Sequence, residues 1–167
     1  MPEMKSDMAG AATVLGAVAA AARLGLAVRV DAWLALAENM PAADAQRPSD
    51  IVTMYNGTTV EVTNTDAEGR LVMADALARA VEDGPDCVID VATLTGAQIT
   101  ALGDRVAGVM GTPSVRDEVA ACAAGAGEAF WPMPLPEPLH AALESPFAAL
   151  RNVDVSSRAG GMLVAGL

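Results

Sequence analysis

Cys87-Val88-Ile89-Asp90-Val91-Ala92-Thr93-Leu94 is the stretch on which the fold turns. It is apolar without polar alternation. A strand with one wet face alternates, so this run reads as a central parallel strand covered on both faces. Residues 26–36, rich in Val, Leu and Ala, read as a second buried strand, and residues 106–110 as a third. Helical segments lie around them. Residues 8–24 are Ala-rich and end at Gly25, a residue type suited to closing a helix. Residues 68–81 place Leu71, Ala74, Leu77 and Ala78 on one face. Residues 96–102, 116–126 and 139–144 read as further helices. Strands alternating with helices predict an α/β fold, a three-layer α/β/α arrangement with a mostly parallel central sheet.

The connections carry their own signals. Residues 38–50 hold Pro41 and Pro48 and form a long connection of the kind that often has a function. Asn56-Gly57 sits between β-favouring residues and predicts a hairpin over 51–63. Pro132, Pro134, Pro136 and Pro138 predict an extended segment. Residues 151–161, with two arginines and two glycines, read as a loop at a site mouth. The final residues, 159–167, read as a helix interrupted at its start, which predicts a truncated chain.

Composition narrows the function classes. The chain has 167 residues, enough for one domain with a core. Its residues are 53% hydrophobic but only 3% aromatic, so that core is built from Ala, Val, Leu and Met. The net charge is −11 and the pI about 4.3, which argues against phosphate backbones and so against nucleic acid as a partner. Cys87 and Cys122 are far apart, and Cys87 in its apolar run predicts a buried free thiol. The N-terminus has no apolar run behind a basic start. Residues 8–22 read as too short and too weakly apolar to span a bilayer. A soluble cytoplasmic protein without a membrane partner is the expectation.

The chemistry concentrates in Asn64-Thr65-Asp66-Ala67-Glu68-Gly69-Arg70. Two carboxylates two residues apart, at a strand end and a helix start, can converge on one point. Hard divalent cations take clustered carboxylate oxygens, and two adjacent cations need a bridging carboxylate. Arg70 beside them can hold an anion or polarise a carbonyl. The same acids also read as ordinary helix-start residues favoured by the helix dipole. His140, the only histidine, reads as a surface or packing residue. No serine sits in a G-x-S-x-G elbow, and 103–108 lack the end of a phosphate loop.

That heptapeptide and its continuation Leu71-Val72-Met73-Ala74-Asp75 resemble the signature of the M17 leucyl aminopeptidases. Four other segments are similar to the same family, in its order: Met4 through Ala12, Glu38-Asn39-Met40-Pro41, Arg47-Pro48-Ser49-Asp50, and Asp90 through Ala97. The resemblance implies a two-metal exopeptidase that prefers leucine-like N-terminal residues. It implies that Asp7, Asp66 and Glu68 ligate two divalent ions, manganese or zinc with magnesium also accepted, Glu68 bridging them. It implies that Arg70 holds a bicarbonate acting as general base. Met4, Asn64, Thr93, Leu94 and Gly96 match substrate-binding positions.

The resemblance further implies peptide substrates and a hexamer for the full-length protein. By the same comparison, residues 1–167 form a single partial catalytic domain, with the N-terminal domain and both edges outside it. A metal-ligating lysine and aspartate, and a lysine that stabilises the oxyanion, are then expected upstream. Lys5, the only lysine, matches neither family lysine. Two alternatives stand beside the enzyme. One is an inactive remnant keeping fold and assembly role, and the other is a magnesium-dependent phosphoryl-transfer domain.

Overall fold

The computed structural model describes residues 2–154 and 166–167. A 3₁₀ turn at Pro2–Ser6 leads into helix α1, Ala9–Leu24. Gly25 closes α1 in the left-handed conformation (φ 62°), its N–H returning to the carbonyls of Ala21 and Ala22. An L side chain is disfavoured at that φ, which is why glycine stops the helix there.

Strands β1 (Asp50–Thr53) and β2 (Thr59–Val62) form an antiparallel hairpin, pairing Asp50 with Val62 and Thr53 with Thr59. Its turn is the one the sequence predicts. Gly57 takes φ 87°, and the Asn56 side chain accepts from the Thr58 N–H. β2 then pairs in parallel with β5, Leu150–Arg151, giving the order β1-β2-β5. β2 is the most buried strand: Val60 and Val62 are core residues, and Val62 has no exposed surface.

After β2 come a 3₁₀ turn at Thr65–Ala67 and helix α2, Gly69–Val81. Helix α3 (Ala97–Leu102) leads to β3 (Ala107–Val109), and helix α4 (Pro113–Gly125) leads to β4 (Phe130–Pro132). β3 and β4 pair in parallel as a second, two-stranded sheet. α4 starts three residues earlier than the reading at 116, because Pro113 supplies the first helical position. β4 and β5 escaped the sequence reading. β4 ends in Pro132, which lacks the N–H of a ladder donor, and β5 has only two residues. A 3₁₀ helix at Glu137–Leu143 stands near the expected 139–144 helix.

Two expected strands are corrected. Residues 26–36 and 87–94 carry no ladder among the described residues. A strand exists only when a neighbour closes its hydrogen bonds, and an apolar run shows the demand for burial without showing a partner. Val30, Leu36, Val88 and Ile89 are all exposed, and so is Cys87, whose thiol is free and not buried as expected. The 87–94 run still packs on α1. A Cβ added at Gly10 would lie 2.0 Å from the Val91 carbonyl oxygen, so the backbones meet where only glycine fits.

The helical residues Glu3–Leu24 are long and apolar enough to cross a membrane by length and composition (22 residues, mean hydropathy 1.3). Core helices of soluble proteins pass the same test. The α-helical part of the segment, Ala9–Leu24, has 16 residues, fewer than the about 20 that a bilayer crossing takes. The interrupted helix expected at 159–167 and most of the loop expected at 151–161 lie outside the described residues.

Candidate functional site

The site is assembled around the turn between β2 and α2. Asn64 opens it in extended conformation, and its side-chain oxygen accepts from the Asp66 N–H at 2.9 Å. That cap holds the turn with Ala67 inward and Asp66 exposed. Glu68 follows at the start of α2, half-buried. The helix-start reading of these acids is realised locally, since Asp66 lies in the 3₁₀ turn and Glu68 stands at the N-terminus of α2.

Asn39 reaches this turn from another part of the chain, and Asp7 has its own partners. Asn39 donates from one amide nitrogen to the Thr65 carbonyl (2.9 Å) and to Glu68 Oε2 (2.8 Å). The Thr93 hydroxyl donates to Asp7 Oδ1 at 2.6 Å, joining the end of the 87–94 run to the start of α1. The Asp7 N–H itself donates to the Met4 carbonyl at 3.0 Å. Leu94 lies against the start of α2, its Cδ1 3.5 Å from where a Cβ on Gly69 would stand. Gly96 is exposed, and a Cβ there would meet nothing within 4 Å.

Arg70 is half-buried, and burial lowers its pKa from the ordinary value. A lowered pKa on a cationic group means that the charged form is penalised. That penalty is constant below the folded pKa and is relieved only as strongly alkaline pH passes it. Arg70 therefore stays charged throughout the neutral range. Its Nη1 donates to the Asn152 carbonyl at 2.9 Å, while its buried Nε finds no partner among the described residues. Arg70 also lines a cavity of about 330 Å³ with Met54, Leu71 and Leu143. None of Asp7, Asp66 and Glu68 lines it.

Two residues that matter here were given no role from sequence. Asn39 lies within the quoted Glu38–Pro41 motif, so its signal was present. Asn152 is 3% exposed and makes hydrogen bonds to Thr63, Asn64 and Ala67. Only its place inside the flagged 151–161 segment hinted at it.

As candidate metal ligands, the carboxylates of Asp7, Asp66 and Glu68 have the hard-oxygen chemistry that divalent cations take. Asp7 and Glu68 are each oriented by one neutral donor. Among the described residues, however, no three acidic, histidine or cysteine side chains gather closely enough to form a complete ligand set. The donor type fits a divalent cation.

The class this arrangement belongs to is an α/β peptidase domain. Residues 1–167 match the model of the cytosol aminopeptidase family, catalytic domain, and the chain belongs to that family. It is 61% identical over 165 residues to a probable cytosol aminopeptidase of Micrococcus luteus, covering 99% of this chain and 32% of that protein. A probable cytosol aminopeptidase of Nocardia farcinica is 59% identical over 167 residues, covering 100% of this chain and 33% of that protein. Among solved structures, a tomato leucine aminopeptidase mutant superposes with a TM-score of 0.88 at 42% identity, over 99% of this chain and 33% of that one. The chain thus spans about a third of the length of the curated relatives it matches. The likeness to the tomato enzyme bears out the α/β class.

Proposed function

We propose that this chain carries part of the site of a metal-dependent leucyl aminopeptidase, which releases apolar, leucine-like residues from the N-termini of peptides. The observation that carries the reading is that each of the three motif carboxylates, or the backbone beside it, has a hydrogen-bond partner from the family-like motifs. Thr93 holds Asp7, Asn39 holds Glu68, and Asn64 caps Asp66. Such orienting partners are what a ligand set needs, because they fix the direction of each oxygen.

In this reading Asp7, Asp66 and Glu68 would hold two divalent ions, manganese or zinc, with magnesium also accepted. Bound there, the ions would supply a water acidic enough to act as nucleophile at neutral pH. Arg70, permanently cationic, would hold a bicarbonate that takes a proton. Met4, Asn64, Thr93, Leu94 and Gly96 would line the place of the first substrate residue. The open space at Gly96 admits a branched side chain, with modest discrimination per methylene. Peptides are the substrates, the full-length protein acts as a hexamer, and the relatives' names support a cytoplasmic setting.

A second reading is favoured by the lack of a gathered set of three ligands among the described residues. It holds that the 167-residue chain alone keeps the fold and assembly surface without turnover. Hydrolysis of leucine p-nitroanilide with added Mn²⁺ separates the two. The enzyme reading expects turnover that Glu68→Ala reduces by about 10²-fold or more, the scale of losing one key electrostatic group. A folded wild-type chain without turnover would establish the second reading.

A further inference from the structure

We propose that Asn152 is a positioning residue of this site, holding the carboxylate-bearing turn and Arg70 in one frame. The inference rests on the aminopeptidase reading.

The Asn152 side chain spends its whole hydrogen-bonding capacity on the β2–α2 turn, 85 or more residues away in sequence. Its Oδ1 accepts from the N–H of Thr63 (2.9 Å), the hydroxyl of Thr63 (3.2 Å) and the N–H of Asn64 (3.3 Å). Its Nδ2 donates to the carbonyls of Asn64 (2.7 Å) and Ala67 (3.3 Å). Those groups bracket Asp66 and immediately precede Glu68. The turn leaves the β ladder at Val62, so its amides and carbonyls need partners from elsewhere. A side-chain amide supplies acceptor and donors on one rigid plane, as a carboxylate or an alkyl chain cannot.

The backbone of Asn152 does the complementary work. Its N–H donates to the Glu61 carbonyl at 3.0 Å, extending the β2–β5 pairing by one step. Its carbonyl takes the Arg70 guanidinium at 2.9 Å. One residue thus references the turn that bears Asp66 and Glu68, together with Arg70, to the same strand. Displacing Asn152 would shift both groups of the site together, with no part of Asn152 touching substrate.

The test compares the full chain with Asn152→Asp, Asn152→Ala and the neighbouring control Ser145→Ala. Ser145 donates to Glu61 Oε2 at 2.5 Å and makes no bond to the turn. Asn152→Asp keeps the shape but loses both donors. Leucine p-nitroanilide kinetics with Mn²⁺ should give a kcat lowered roughly 10–100-fold, as for residues that orient ligands, with KM nearly unchanged. Ser145→Ala should leave kcat within roughly twofold even where it costs similar stability. Amide exchange at Thr63 and Asn64 should accelerate in both Asn152 variants while exchange in α4 stays as in wild type.

A folded Asn152→Asp with wild-type kcat overturns the proposal. If neither variant folds, fast exchange of the Thr63 and Asn64 amides in the unaltered chain, at the rate of open loops, overturns it equally. An inactive wild-type chain would place turnover in the full-length protein only, and exchange then decides: a folded Asn152→Asp with wild-type exchange at Thr63 and Asn64 overturns the proposal.

Discussion

Two regions of this molecule began with equally clear sequence signals and ended differently. The segment from β1 through the turn into α2 is closed on itself, with ladder pairing, an asparagine cap, a buried Val62 and the Asn152 clamp. The apolar runs at 26–36 and 87–94 are mostly exposed and without a ladder among the described residues. The difference is one of completeness. A hairpin and a capped turn find most of their hydrogen-bond partners within a few residues. A central parallel strand finds its partners only in distant segments, and its pattern of hydrophobicity names none of them.

The comparison can be broken or sharpened by substitution. The largest effect is expected where the two regions' logic crosses, at Gly10. A methyl there would overlap the Val91 carbonyl, and the backbone itself would have to move. Gly10→Ala should cost about 3 kcal/mol in denaturant unfolding. A neutral result would mean that α1 and the 87–94 run are not in contact in solution. Next comes Val62→Ala in the closed region, expected at about 2 kcal/mol because the side chain is fully buried. Smallest is Ile89→Ala in the open region. Ile89 is 58% exposed, so the change should stay within about 0.5 kcal/mol. If thermal melts gave Ile89→Ala the larger loss of the last two, the run would be covered in solution, and the contrast drawn here would fail.

The candidate site divides along the same line. Asn64, Asp66, Glu68 and Arg70 were legible because they lie within seven residues and their local chemistry is self-contained. Asp7 and Thr93 were legible only as members of motifs. Their contact at 2.6 Å spans 86 residues, and no spacing in the chain announces it. Asn39 was quoted but given no task, since an amide that bridges Thr65 and Glu68 looks in sequence like any loop asparagine. Asn152 was missed altogether. A buried asparagine is chosen by the unpaired groups it meets, and those groups belong to another part of the chain.

By itself the sequence determined the helices, the Asn56-Gly57 hairpin, the capped acidic turn and the family, because each rests on short-range geometry or a contiguous motif. The tertiary structure alone decided which apolar runs acquire ladders, that Cys87 is exposed, and which amides steady the acids and Arg70. Those outcomes depend on hydrogen bonds and burial between segments tens of residues apart, where a group's partner is set by how the backbone folds and not by its neighbours along the chain.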